Sequence, residues 1–192
     1  MLKNLFNEKK AAQAAAYFLL RAGGRLEALK LMKLLYLAER RSFEKYGEPM
    51  IGDRLVSMPH GPVLSRTYNH MNGELPSSDG GWESWVADRA KHVLSLKNPR
   101  LRSTDNLKEL SESDVEILGE VWRRFGRVSG SQLRNHTHRH CPEWKDPEGS
   151  MIPVQPEELF KALKFTPQRT KVALARLRDA DEVEAAFASI RG

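Results

Sequence analysis

The chain has 192 residues, 40% hydrophobic and 29% charged, with a formal net charge of +6 and one cysteine, Cys141. That length buries a core without metal or disulfide staples, and a lone cysteine excludes an intramolecular disulfide. No stretch approaches the roughly 18 uninterrupted apolar residues of a membrane span, and the Gln13-interrupted apolar run at residues 11–20 reads as a core helix, not a signal peptide, so a cytoplasmic protein is expected.

Residues 8–21 predict the first helix, whose alanines permit close approach to a neighbour, and Gly23-Gly24 stops it. The chain then becomes densely apolar. Leu31, Leu34, Leu35 and Ala38 recur at helical spacing, while Leu29, Met32, Tyr36 and Phe43 form a neighbouring stripe. Only Lys30, Lys33, Arg40, Arg41 and Glu44 are left as a wet face, so this helix is expected to be the core of the fold, in a hairpin with the first. Gly47 ends it and Pro49 prevents its resumption. Residues 53–57 alternate as a short strand. Met58-Pro59-His60-Gly61-Pro62 then leaves five consecutive residues little freedom, and Pro62 reads as the first position of a helix through Val63, Leu64, Tyr68 and Met71 to a stop at Asn72-Gly73.

Residues 74–81 form a surface loop. Residues 82–87 and 92–96, on either side of a charged spacer at 88–91, read as short strands joining Leu55-Val56 in a small sheet. Asn98-Pro99-Arg100 marks a turn, and residues 101–107 are too polar to assign. Ser111 opens a helix with an acidic first turn, Asp114 standing where Glu or Gln would complete a capping box. Val115, Leu118, Val121, Trp122 and Phe125 are its apolar face, and Gly126 its stop. Residues 129–136 predict a short helix anchored only by Leu133, hence a surface position. Residues 142–156 carry four prolines, giving an ordered loop if Trp144 and Ile152 are buried and a linker if they are not. Pro156-Glu157-Glu158 begins another helix. Thr166-Pro167 begins the last, in which Leu174, Leu177, Ala180, Val183, Phe187 and Ile190 make a narrow stripe suited to a helix–helix seam with the domain, a second copy or a partner.

Several side chains invite chemistry. His136, His138, His140 and Cys141 are suitable zinc ligands, but adjacent His140 and Cys141 do not easily share one tetrahedron with the others, and no second cluster completes a site. A solvated polar loop is the expectation, with no metal and no cofactor. Cys141 beside a histidine lacks an orienting acid or oxyanion loop, and no Walker, GxGxxG, HExxH or GxSxG motif occurs, so no enzyme is expected. His60 reads as a turn histidine whose ring satisfies buried backbone groups near Asp53 or the helix start, or as a partner contact. The positive balance favours acidic partners without separating nucleic acid from protein. Arg123, Arg124 and Arg127, or Lys30, Lys33, Arg40 and Arg41, are able to touch phosphates, and equally read as wet faces.

The segment KLLYLAERRSFEKYG followed by GDRLVSMPHGPVLS resembles the signature of the Panacea domain, the fold of SocA-like bacterial antitoxins. The likeness continues through Trp85, residues 111–126 and residues 137–152 with His140-Cys141-Pro142-Glu143-Trp144; beyond Pro156 nothing matches. The expected architecture is mainly α with a small antiparallel β-sheet or hairpin, residues 1–155 forming the Panacea-like domain and 156–192 a helical extension. The resemblance implies an antitoxin that binds and neutralises a cognate toxin protein by direct contact, with delivery to the ClpXP protease as an adaptor an alternative mechanism. Within it Asp53, Met58, Pro59, His60, Gly61 and Pro62 take the partner-binding role. The rival reading, motivated by the basic balance, is a DNA-binding regulator repressing its own operon.

Overall fold

Helix α2 (Ala28–Tyr46) is the axis around which the other elements are arranged in the computed structural model, which describes residues 4–87 and 91–191. Leu31, Leu34, Leu35, Tyr36 and Ala38 have no exposed surface, as an apolar pattern over most of the circumference requires. Gly47 closes the helix in the left-handed conformation at φ 75°. Helix α1 (Glu8–Arg21) is capped by the Asn7 side chain, and five of its alanines, from Ala11 to Ala16, are wholly buried where it packs against α2. Lys33, expected on the wet face, is also wholly buried. Neighbours surround α2 on that side too, leaving only a narrow strip to water.

Between α1 and α2 runs a short strand, β1 (Arg25–Glu27). Strand β2 (Leu55–Met58) turns through Pro59-His60 into β3 (Gly61–Leu64), and α3 (Ser65–Met71) follows. Pro62 therefore sits in a strand opposite Ser57, and the helix begins three residues later than its proline suggested. Two contacts explain the shift. β3 is an edge strand, where a missing N–H costs no ladder bond, and the Asp53 carboxylate accepts the Arg66 and Thr67 N–H groups that open α3.

Residues 82–96 also depart from expectation. Trp82–Trp85 is a helical turn, α4, whose first N–H is taken by Glu8, and β4 (Val93–Ser95) pairs antiparallel with β1 instead of with Leu55-Val56. An isolated bridge from Val86 to Leu96 extends that pair. Residues 88–90 of the charged spacer lie outside the described residues.

Helices α5 (Glu112–Phe125) and α6 (Gly130–His140) complete the surround of α2. Asp114 does complete the capping box with Ser111, and Ser129 with Gln132 forms a second box that opens α6. α6 is longer than its pattern implied and is not a surface helix: Leu133 and Thr137 are wholly buried against α2 and β3. The proline-rich stretch is ordered, with Trp144 and Ile152 half-buried, and β5 (Ile152–Pro153) joins the edge of β2. In α7 (Pro156–Ala162), Leu159 and Phe160 are buried, Phe160 meeting Phe43 edge-to-face at 5.8 Å. The last helix, α8 (Pro167–Arg191), buries Ala173 and Leu177 and then emerges, leaving Val183 52% and Ile190 80% exposed. The described residues thus form eight helices with antiparallel sheets of two and three strands. No helix among them is long and apolar enough to cross a membrane.

Candidate functional site

The turn between β2 and β3 is gripped from inside the protein. Lys33 of α2 sends its Nζ to the Pro62 carbonyl at 2.7 Å, and Trp144 donates its indole N–H to the Met58 carbonyl at 3.0 Å. Lys145 donates its backbone N–H to Ser57 Oγ at 3.2 Å. Gly61 is equally constrained: at φ 91°, a Cβ there would lie 2.8 Å from Thr137 Oγ1 and 3.1 Å from both His138 Nε2 and Lys33 Nζ. Only glycine fits, for both conformational and steric reasons.

What this clamp presents is small. Pro59 and His60 are exposed and Met58 is half-buried, whereas Asp53, Gly61 and Pro62 are buried supports. Asp53 accepts four hydrogen bonds, from the N–H groups of Arg54, Arg66 and Thr67 and from Thr67 Oγ1. Among the described residues no hydrogen bond joins His60 to a buried backbone group; Asp53 takes the N–H groups there, and His60 is exposed at the tip. Beside it, the Trp144 ring stacks on His138 with centroids 4.0 Å apart and planes 10° from parallel.

The electrostatics under the tip follow from burial. Desolvation pushes the Lys33 amine down to about 7, and burial together with the cations Lys33 and Arg134 holds His138 below the usual imidazole range. Behind them, buried Glu143 accepts the Tyr36 hydroxyl at 2.5 Å and Arg40 Nε at 2.7 Å. Burial, then Glu143 itself, raises the Tyr36 phenol so that it stays a donor. This anchors the loop carrying Trp144 to α2. Glu39, wholly buried on the same helix, accepts the N–H groups of Met50, Ile51 and Gly52 and fixes the chain's approach to β2.

The histidine-rich run is not the solvated loop expected of it. Helical geometry sends His136 and His140 to one flank of α6 and His138 nearly opposite, so the three do not converge. Cys141 is buried at the helix end, its thiol pushed up to about 12 by burial, which disfavours the thiolate a nucleophile or ligand needs. Among the described residues no group of three or more His, Cys, Asp or Glu is placed to hold a metal ion.

Lys33, Tyr36, Arg40, Glu143 and Trp144 belong to the site, and sequence reasoning missed their part in it. Lys33 looks like any helix-surface lysine. Glu143-Trp144, directly after Cys141-Pro142, was the available signal, an acid and an aromatic in a proline-bound loop.

The turn is thus anchored from beneath with its tip open, on an α-helical scaffold. Residues 31–145, more than half of the chain, match the family described as antitoxin SocA-like, Panacea domain, and the chain belongs to that family. No curated protein and no solved structure matches it.

Proposed function

We propose that this chain is an antitoxin that neutralises a cognate toxin by direct protein–protein contact, with Pro59 and His60 at the tip and Met58 and Trp144 at its flank as the docking surface. The observation that carries the reading is the clamp: a buried lysine, an indole and a glycine that no other residue can replace hold two exposed residues in one conformation. A loop ordered before binding loses little entropy on docking. Every group of that clamp lies within residues 31–145, the part shared with the family, whereas α8 lies outside it.

The test is co-expression with the product of the adjacent gene, scored for growth and for a co-purifying complex. Rescue and a complex are expected from the wild type, and their loss from His60→Ala combined with Pro59→Ala in a protein that remains folded. A complex unaffected by the double change would sink the tip as the docking surface, and absence of toxicity and of any complex would sink the antitoxin reading.

Delivery to ClpXP is the finer alternative in mechanism. It draws support from the outer turns of α8, a second exposed apolar surface well apart in sequence from the tip, since an adaptor needs one surface for cargo and another for the protease. Rescue that disappears in a strain lacking ClpX or ClpP distinguishes delivery from simple blocking.

A further inference from the structure

On the flank of α6 away from the tip, a cleft of about 380 Å³ opens between α2, α5 and α6, lined by Arg40, Arg41, Arg124, His136 and His140, with Cys141 and Phe125 among its apolar walls. Its carboxylates are already committed. Glu44 pairs with Arg41 at 2.8 Å, and Glu120 pairs with Arg41 at 2.8 Å and Lys45 at 3.3 Å. Arg40 spends Nε and Nη2 on Glu143 behind the cleft, and its Nη1 has no hydrogen-bond partner among the described residues. Arg124, beside the Phe125 ring at 5.0 Å, has no carboxylate partner among the described residues.

The imidazoles are held in place. His136 lies between Phe125, with ring centroids 4.9 Å apart, and His140, at 4.5 Å. After burial, what depresses His136 is the positive surroundings of His140, Arg124 and Arg40, with no acid acting against them. Cations crowded around a half-buried imidazole mark a positive potential that an anion relieves.

We infer that this cleft binds the phosphoryl group of a small molecule, free phosphate or a phosphate ester, through Arg124, Arg40 and the N–H groups of His136 and His140. Guanidinium groups suit a tetrahedral oxyanion because their planar N–H pairs match two of its oxygens. The cleft lies on another flank of α6 from the tip and shares only Arg40 with the network that anchors the tip. For an anion of constant charge affinity rises as pH falls, because His136, half-buried beside Arg40 and Arg124, gains charge.

The experiment is titration of the full chain with inorganic phosphate and, separately, with a nucleoside monophosphate at constant ionic strength, followed by amide NMR shifts. Saturable one-site shifts at residues 124, 136 and 140 are expected, with the ratio of the two affinities assigning the site to free anion or ester. Arg124→Gln weakens binding by about tenfold or more, whereas Arg123→Gln, an exposed neighbour outside the cleft, leaves it unchanged. Sulfate, whose charge is constant in this range, binds at least about fivefold tighter at pH 6 than at pH 8. Non-saturating shifts, equal weakening by both arginine changes, or duplex DNA binding that Arg124→Gln abolishes without any small-anion response would overturn the inference, the last in favour of a nucleic-acid face.

Discussion

Lys33 shows how much one residue's meaning depends on where the fold puts it. A lysine amine wholly out of water, donating to the Pro62 carbonyl, loses its preference for the charged form through burial and falls to about 7 from the ordinary 10.5. The sign follows from proton counting. Between about pH 7 and 10.5 the unfolded chain keeps a proton on Lys33 that the folded chain has released, so stability rises with pH, by up to ~1.4 kcal/mol per pH unit. Urea unfolding of wild type and Lys33→Met between pH 7 and 9 should therefore show a slope in the wild type that the variant lacks; parallel curves would mean that Lys33 stays charged inside. Glu143 is the complementary case. Glu143→Gln removes the counter-charge of half-buried Arg40 and turns one carboxylate oxygen into an amide donor facing it, and a loss of ~3 kcal/mol is expected, whereas Tyr36→Phe, which removes only a hydrogen bond, should cost ~1 kcal/mol. Similar losses for the two variants would show that the Arg40 pairing contributes little.

The β2–β3 hairpin ties those residues into one element. Its stability and its proposed recognition role separate along the turn: Gly61 and Pro62 are inside, and Pro59 and His60 are outside. Gly61→Ala should lower stability by ~2 kcal/mol, from the left-handed backbone and the approach to Thr137, and should weaken toxin binding by loosening the clamp. His60→Ala should leave the unfolding midpoint within ~0.5 kcal/mol of wild type while weakening the complex. Thermal unfolding and affinity measured together check both; a destabilised His60→Ala would return that ring to a structural role. The hairpin was partly legible from sequence. The strand at 53–57 is visible as an alternation and the constraint at 58–62 as two prolines and a glycine. The second strand was hidden, because Pro62 is as good a helix opener as it is an edge-strand residue, and only β2 and α6 alongside select the latter.

At the scale of the molecule, residues on both sides of position 155 contribute to one buried cluster, with Phe160 against Phe43 and Leu177 among its members. Burial of Leu159 and Phe160 alone is worth ~4 kcal/mol. Truncation after Gln155 should lower the melting temperature by ~10 °C or more, whereas truncation after Glu182, which keeps the Asn4–Asp181 bond and removes only residues 183–192, should lower it by ~3 °C or less. Calorimetry of the two shortened chains makes the comparison, and equal melting points for the longer truncation and the full chain would show residues 156–192 to be separable. The truncation after Glu182 is also the proper variant for testing delivery to ClpXP, since it removes the exposed end of α8 without opening the core.

What the sequence determined by itself is local and periodic. The limits of α1, the burial of α2, its glycine stop, the serine cap of α5 and the antitoxin-like signature all rest on residues within a few turns of one another, where spacing alone carries the physics. The tertiary structure decided everything that depends on which neighbour arrives. It turned Lys33 inward, paired residues 93–95 with β1, drew α6 into the core, and divided one histidine run between the tip and the phosphoryl cleft. Pairing and burial are contacts between residues far apart in the chain, and a side chain such as Lys33 or His138 has no charge state or role of its own until those contacts set the water and the charges around it.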